Sequence, residues 1–314
     1  MDAHADPIIL IPPSKRDPAL PSVRKIGHAT FTTPDLDRLV DYYTEVIGLQ
    51  LMDRNAGRAY LASTLERHSL VLEQGREAAC TALAFQVPPG TDLASYATQL
   101  GAMGVAAGIE TDSEPGIAQQ LRMTDPKGTS VSVYAEREFS PQRFLTSGIV
   151  PHKLGHIAFT ATDIKTSVNW YIEALGFRMS DWLGEIFAFM RCGPDHHTVN
   201  ILQAQQNRMH HIAFELMDWA HIQRACDILA RNGYPLLWGP GRHGIGHNIF
   251  IYHRNPDEHI IELFTDLDRI DDEALNYFEP RPWHHDRPQR PKVWTPNIMA
   301  ANLWGVPPPE GFMD

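Results

Sequence analysis

The chain repeats itself, and that limits its folds more than any other feature. Lys25-Ile26-Gly27-His28-Ala29-Thr30-Phe31 returns 128 residues later as Lys153-Leu154-Gly155-His156-Ile157-Ala158-Phe159. A helix-like run follows each: Asp41-Tyr42-Tyr43 to Ile47-Gly48-Leu49 matches Asn169-Trp170-Tyr171 to Leu175-Gly176-Phe177. His68-Ser69-Leu70 answers His197-Thr198-Val199, and Leu83-Ala84-Phe85 answers Ile212-Ala213-Phe214, both at an offset of 129. Asp125-Pro126 answers Asn255-Pro256 at 130. Two unrelated domains would not hold a constant offset, so one plan is used twice.

Each half divides again into a strand, a helix and further strands: Lys25–Gly75, Thr81–Arg137, Lys153–Gln205 and Arg208–Asp266. Leu36, Leu39, Val40, Tyr43, Val46 and Ile47 fall at helical spacing before Gly48, and Leu93–Leu100 and Trp219–Ala230 are helices of the second and fourth modules. The expected fold class is therefore α+β: four βαβββ modules paired into two tandem barrel-like domains, each a curved sheet around a cavity. The divisions expected are a proline-bearing arm (residues 1–22), a first two-module domain without metal (23–140), a second, catalytic two-module domain (150–268) and a Pro- and Trp-rich tail (269–314).

Composition narrows the partners. Net charge is −11, from 38 acids against 27 bases, and no basic run offsets it, so nucleic acid and anionic membranes are not expected partners. No apolar run is long enough to span a bilayer, and Asp2, Asp6 and Pro7 do not fit a secretory signal. Cys80, Cys192 and Cys226 are odd in number and scattered, which fits a reducing cytoplasm. The arm and tail are the segments expected either to pack on the body or to meet another subunit of a homo-oligomer, and the tail is also a candidate cap on the pocket. The sixteen histidines stand out, many of them in the C-terminal half.

The densest stretch runs from Arg242 to Glu262. Asn248–Tyr252 and His259–Phe264 read as antiparallel strands joined by the turn Asn255-Pro256-Asp257-Glu258. Glu262 stands between Ile261 and Leu263 in a strand with a buried pattern. A carboxylate there costs several kcal/mol, roughly, unless a positive partner meets it, and a metal is the leading candidate. His156 shares a strand face with Leu154, Ala158 and Thr160, and His211 shares one with Met209, Ala213 and Glu215. Two imidazoles and one carboxylate form a set that holds Fe(II), or less readily Mn(II), on one face and leaves positions open. Each residue alone is ordinarily a core or edge residue. The repeat alters that balance, because the first half has His28, Ala82 and Ser132 at the matching places.

Three further groups surround this set: His197 before a β-like run, His243 in the glycine-rich loop Gly239–Gly244, and Tyr252 on the strand leading to Glu262. Together they can supply acid–base and hydrogen-bonding chemistry. Trp238, Phe189 and Phe250, with Trp182, Ile186 and Phe187, supply material for a pocket around an aromatic ring. His247 is a further pocket candidate, while His210, His253 and His259 read as flanking residues. No arginine clamp stands out beyond Arg242, which favours an uncharged ring.

The pattern Lys153-Leu154-Gly155-His156, Met209-His210-His211-Ile212-Ala213-Phe214-Glu215, Gly241-Arg242-His243, Tyr252 and Ile261-Glu262-Leu263-Phe264 resembles the type I extradiol ring-cleavage dioxygenases. These belong to the vicinal oxygen chelate superfamily and include catechol 2,3-dioxygenases and dihydroxybiphenyl dioxygenases. The resemblance spans roughly Val23 to Asp266, and the spacing of His243, Tyr252 and Glu262 is its most specific part. It implies that His156, His211 and Glu262 bind Fe(II), that a catechol chelates through both oxygens, and that dioxygen takes the remaining position. It further implies that His197 steadies the bound oxygen and acts as acid, while His243 and Tyr252 hydrogen-bond the substrate oxygen. The implied product is a muconic semialdehyde.

Two other readings share this architecture. A glyoxalase-type isomerase explains a metal and the repeat but does not need His197, His243 and Tyr252 together. A metal-free binding protein of the bleomycin-resistance type leaves Glu262 buried and unpaired, which is costly.

Overall fold

Four aspartates set the helices in motion. Asp35, Asp92, Asp163 and Asp218 each stand at a helix N-cap, where the side chain accepts a hydrogen bond from a backbone N–H of the first turn. The helices they open are Leu36–Asp41, Leu93–Ala102, Ile164–Leu175 and Trp219–Arg231, one per module. In this computed structural model residues 9–12, 16–63, 67–138, 147–272, 275, 277–278 and 289–313 are described. The prolines and aromatics from Glu279 to His285 that mark the expected tail lie outside the described residues, as do residues 1–8 of the expected arm.

The two halves build their sheets in the same order. In the first half eight strands run Gln50–Arg54, Arg58–Ala62, Leu70–Gln74, Lys25–Thr33, Ala79–Gln86, Ser130–Tyr134, Ile117–Thr124, Ala107–Glu114. In the second half the order Arg178–Leu183, Phe187–Arg191, Val199–Gln203, Lys153–Ala161, Arg208–Glu215, Ile260–Thr265, Ile249–Arg254, Leu236–Arg242 repeats it. The two modules of a half join along their first strands, which pair antiparallel: His28 faces Ala84, and His156 faces Ala213. Leu183 and Phe189 near one end of the second sheet and Trp238 at the other line a single cavity, so the sheet curls around it. The α+β paired-module fold read from the repeat is the fold observed.

The halves share a core. Val23, Ile26, Phe85, Leu154 and Phe177 belong to one buried apolar cluster, in which Phe85 meets Phe177 edge-on at 5.4 Å. Polar links cross the same boundary: the Tyr42 hydroxyl meets His253 Nε2 at 2.6 Å, and the Tyr171 hydroxyl donates to Asp125 at 3.0 Å.

Two local differences from expectation follow from packing. The first helix is α-helical only over Leu36–Asp41 and widens to a π-turn over Tyr42–Ile47. That turn buries both Tyr42 and Tyr43 before Gly48, at a φ of 81°, ends it in the left-handed region. Gly239–Arg242, expected as loop, continues the strand Leu236–Arg242, whose pairing with Ile249–Arg254 shifts register once at Leu237 and again across Gly239 and Pro240. Lys292–Trp294 joins the edge of the second sheet beside Arg178–Leu183, and Ile9–Leu10 pairs with it in turn. Arm and tail therefore pack on the second half.

Candidate active site and metal centre

Three neighbouring strands carry the centre. His156 lies on Lys153–Ala161, His211 on the antiparallel Arg208–Glu215, and Glu262 on Ile260–Thr265, which runs parallel to the last of these. Their ligand atoms close a triangle: His156 Nε2 to Glu262 Oε2 is 3.0 Å, His211 Nε2 to Glu262 Oε2 is 3.1 Å, and His211 Nε2 to His156 Nε2 is 3.3 Å. Glu262 is 1 % exposed, so no solvent compensates its charge.

The surrounding hydrogen bonds decide which nitrogen is free. His210 Nε2 donates to the Phe312 carbonyl at 2.6 Å, which leaves His210 Nδ1 as an acceptor. At 2.7 Å that nitrogen receives the proton of His211 Nδ1, so His211 Nε2 turns a bare lone pair toward Glu262 and His156. A lone pair facing a carboxylate is repulsive unless a cation sits between them. Bonds of about 2.1 Å meeting near right angles would set donor atoms about 3 Å apart, as these are. The donor set therefore fits a divalent metal ion. Burial by itself raises the Glu262 carboxyl, yet neighbouring His156 outweighs it and holds the group well below the usual carboxylate range. Burial keeps His211 neutral, the form that ligates. Asn248 Nδ2 donates to the other carboxylate oxygen at 2.9 Å, fixing the plane of Glu262.

Beside the triangle lies a cavity walled by Leu183, Phe187, Phe189, Trp238 and Ile245 and reached by His197, His243 and Tyr252. His197 is steadied by a relay: the Asp181 carboxylate accepts from His196 Nε2 at 3.0 Å, and His196 Nδ1 meets His197 Nδ1 at 3.0 Å. With His196 accepting, the His197 proton is on Nδ1 and its Nε2 is the free base. Burial first, then neighbouring His156 and His196, keep His197 far below the usual imidazole range. His243 Nδ1 donates to the Ala301 carbonyl at 2.6 Å, and its Nε2 lies 3.0 Å from the Tyr252 hydroxyl. Burial lowers His243 to about 4. The Tyr252 hydroxyl is pushed well above its normal range, by burial first and then by the charge on Glu262.

The structure thus brings His156, His197, His211, Trp238, His243, Tyr252, Glu262 and Phe189 to one cavity. Four expected wall residues are not among those that line it. Phe250 stands behind His243, stacked on its ring at 3.9 Å. His247 is turned away by its hydrogen bond to Asp268 and is only 3 % exposed. Trp182 and Ile186 do not line the cavity either, and Ile186 is 47 % exposed. Arg242 is spent on the His247 carbonyl and Asp266.

Sequence reasoning missed three contributions outright, and expected a fourth, the tail, only as a cap with no residues named. Asn200 lines the cavity, Asn248 holds Glu262, Asp181 anchors the histidine relay, and Ala300, Ala301, Phe312 and Met313 of the tail close one wall. Asn200 had a signal, being a polar residue in the otherwise apolar strand Val199–Gln203, whereas Asn248 stands just before the strand Ile249–Arg254. Which tail residues act had no signal, because Ala301 and Phe312 anchor His243 and His210 through backbone carbonyls.

The family model described as the Glyoxalase/Bleomycin resistance protein/Dioxygenase superfamily matches residues 25–133 and 153–263. The chain is 28 % identical over 297 residues to the manganese-dependent 2,3-dihydroxybiphenyl 1,2-dioxygenase of Geobacillus genomosp. 3, covering 87 % of this chain and 93 % of that one. It is 25 % identical over 270 residues to metapyrocatechase 2 of Cupriavidus necator, covering 79 % and 83 %. Among solved structures, the Mn(II)-bound glyoxalase from Novosphingobium aromaticivorans superposes with a TM-score of 0.81 at 26 % identity, covering 91 % of this chain and 92 % of that one. Homoprotocatechuate 2,3-dioxygenase from Brevibacterium fuscum, with 3,4-dihydroxyphenylacetate bound, gives 0.80 at 25 % identity, covering 93 % and 92 %.

Proposed function

The chain belongs to the glyoxalase/bleomycin resistance protein/dioxygenase superfamily, and from that premise we propose that it is a metal-dependent extradiol dioxygenase acting on an uncharged catechol. In this reaction the ring bond beside the diol breaks and both atoms of dioxygen enter the product, a muconic semialdehyde. The observation that carries the reading is the His156–His211–Glu262 triangle at an apolar cavity that also receives His197, His243 and Tyr252.

His156, His211 and Glu262 hold the metal. Fe(II) is the proposed ion; the same donors accept Mn(II), which the name of the Geobacillus relative carries. When bound, the metal draws the diol and dioxygen together and passes electrons between them. The protein does the rest. Neutral His243, its Nδ1 proton tied to Ala301, offers Nε2 to take a hydroxyl proton from the entering catechol. Tyr252, still protonated, donates to the oxygen left behind. His197, its ring held by the Asp181–His196 relay, can take up a proton at Nε2 and return it to oxygen when one is needed. Phe189, Trp238 and the tail exclude water. Among the described residues lining the cavity none is Arg or Lys, so nothing there compensates a carboxylate on the ring.

The test is anaerobic loading of metal-free protein with Fe(II) or Mn(II), then mixing with catechol and air. A yellow ring-opened product with one dioxygen consumed per catechol is expected, at a higher rate for Fe(II). Metal uptake without oxygen consumption would point to isomerase chemistry of the same superfamily. A faster manganese form would reassign the ion.

A further inference from the structure

Three buried polar side chains meet in the first half, away from the site above. A ligand atom from each of His28, His68 and Glu114 lies within 4.8 Å of the other two. The first half was expected to be metal-free because Ala82 and Ser132 stand where the second half has His211 and Glu262. The curled sheet brings a different trio together. His28 occupies the place of His156, His68 that of His197, and Glu114, the last residue of its strand, that of His243 just past the end of its own. The geometry is conserved between the halves: His28 and His68 have ring centroids 4.5 Å apart, and His156 and His197 have theirs 4.4 Å apart.

Each of the three keeps an atom that the described structure leaves unused. His28 Nδ1, His68 Nε2 and Glu114 Oε2 are all buried without a hydrogen-bond partner. His28 is 3 % and His68 1 % exposed; Glu114 is half-buried as a residue, but its side chain is only 7 % exposed. Polar atoms in this condition are costly, and two imidazoles and a carboxylate gathered this closely, each with an orphaned atom, point to a ligand. Two imidazoles and a carboxylate are metal donors, and burial keeps both rings in the neutral, ligating form. Glu114 and Tyr60 also line an outer cleft with Gly116 and Ile117, which gives an entry path from solvent.

We infer that His28, His68 and Glu114 form a second binding site for a divalent transition-metal ion, one per chain, separate from the His156–His211–Glu262 centre. Arg58 lies 3.9 Å from the other Glu114 oxygen, and Arg137 is the neighbouring charge that acts on both imidazoles. These guanidiniums oppose a cation, so this ion is the weaker-held of the two. Its place beside Tyr60, where the second half has Phe189, fits a structural ion in the half that lacks the full triangle.

The experiment uses the full chain, stripped with chelator, equilibrated with Zn(II), passed through a desalting column and measured by elemental analysis. Two ions per chain are expected for wild type. Glu114→Gln, nearly isosteric, and His68→Asn should each retain one ion with an unshifted melting curve in chelator. His211→Ala should also retain one, held less tightly in a chelator titration than the ion left in Glu114→Gln. One ion in wild type, or a second ion that survives in both first-half variants, overturns the site.

Discussion

At the scale of single residues, placement of protons decides what each histidine can do. His211 and His243 are alike in composition and burial, yet hydrogen bonds to different carbonyl chains give them different tasks. His211 passes its Nδ1 proton through His210 to the Phe312 carbonyl and presents Nε2 to the triangle; His243 gives its own to Ala301 and presents Nε2 to Tyr252. Their removal should therefore fail differently. His211→Ala should lose the active-site ion and turnover, since two remaining donors hold that ion poorly; two ions per chain in that variant, as in wild type, would unseat the ligand assignment. His243→Ala and Tyr252→Phe should keep the metal and slow turnover by roughly 10²–10⁴-fold, the range for lost acid–base help. Metal analysis beside single-turnover rates distinguishes the two classes. The triangle itself was legible in the sequence because each member is a polar residue at an inward position of an apolar strand, absent from its repeat partner in two cases of three. His247 and Phe250 were misplaced because an alternating pattern tells which face a residue takes, not whether another ring stands in front of it.

At the scale of elements, the strands and helices were legible because period and capping act locally. The Asp92 carboxylate accepts from the N–H groups of both Ala94 and Ser95, and Asp92→Ala should cost about 1 kcal/mol, read as a lower denaturant midpoint with an unchanged slope. The tail was legible as a cap on the pocket but not residue by residue. Much of its contribution runs through main-chain carbonyls, which every residue has, so no side-chain pattern could announce which of its residues act. Yet Trp238 Nε1 donates to the Val306 carbonyl at 3.0 Å, Phe312 meets Tyr252 at 5.0 Å, and Ala301 sets the His243 tautomer. A chain ending at Pro296 should still bind the metal, while kcat/KM falls by about 10²-fold as the cavity opens and His243 loses its anchor. Full activity in that truncation would reduce the tail to a surface feature.

At the scale of the molecule, duplication leaves a boundary that must be held together, and one buried contact there is titratable. His253 on the strand beside Glu262 reaches across to Tyr42 of the first helix, 2.6 Å away and wholly enclosed. Burial lowers its pKa to about 3, whereas an unfolded chain protonates histidine near its ordinary value of about 6.5. Because the folded value is the lower, the unfolded state binds the proton first. Stability from this group is complete above about pH 6.5, is lost as pH falls through the interval, and changes no further below about 3. In the middle of that interval one proton is worth about 1.4 kcal/mol per pH unit. His253→Gln keeps a partner for the Tyr42 hydroxyl but cannot take the proton, so its stability curve should fall less steeply between pH 6 and pH 4 while lying close to wild type at pH 8. Other buried histidines, His28 and His68 among them, add to the slope in both proteins and cancel in the difference. Parallel curves across that interval would mean that the boundary opens to water before His253 is protonated, and that the two halves are held by their apolar core alone.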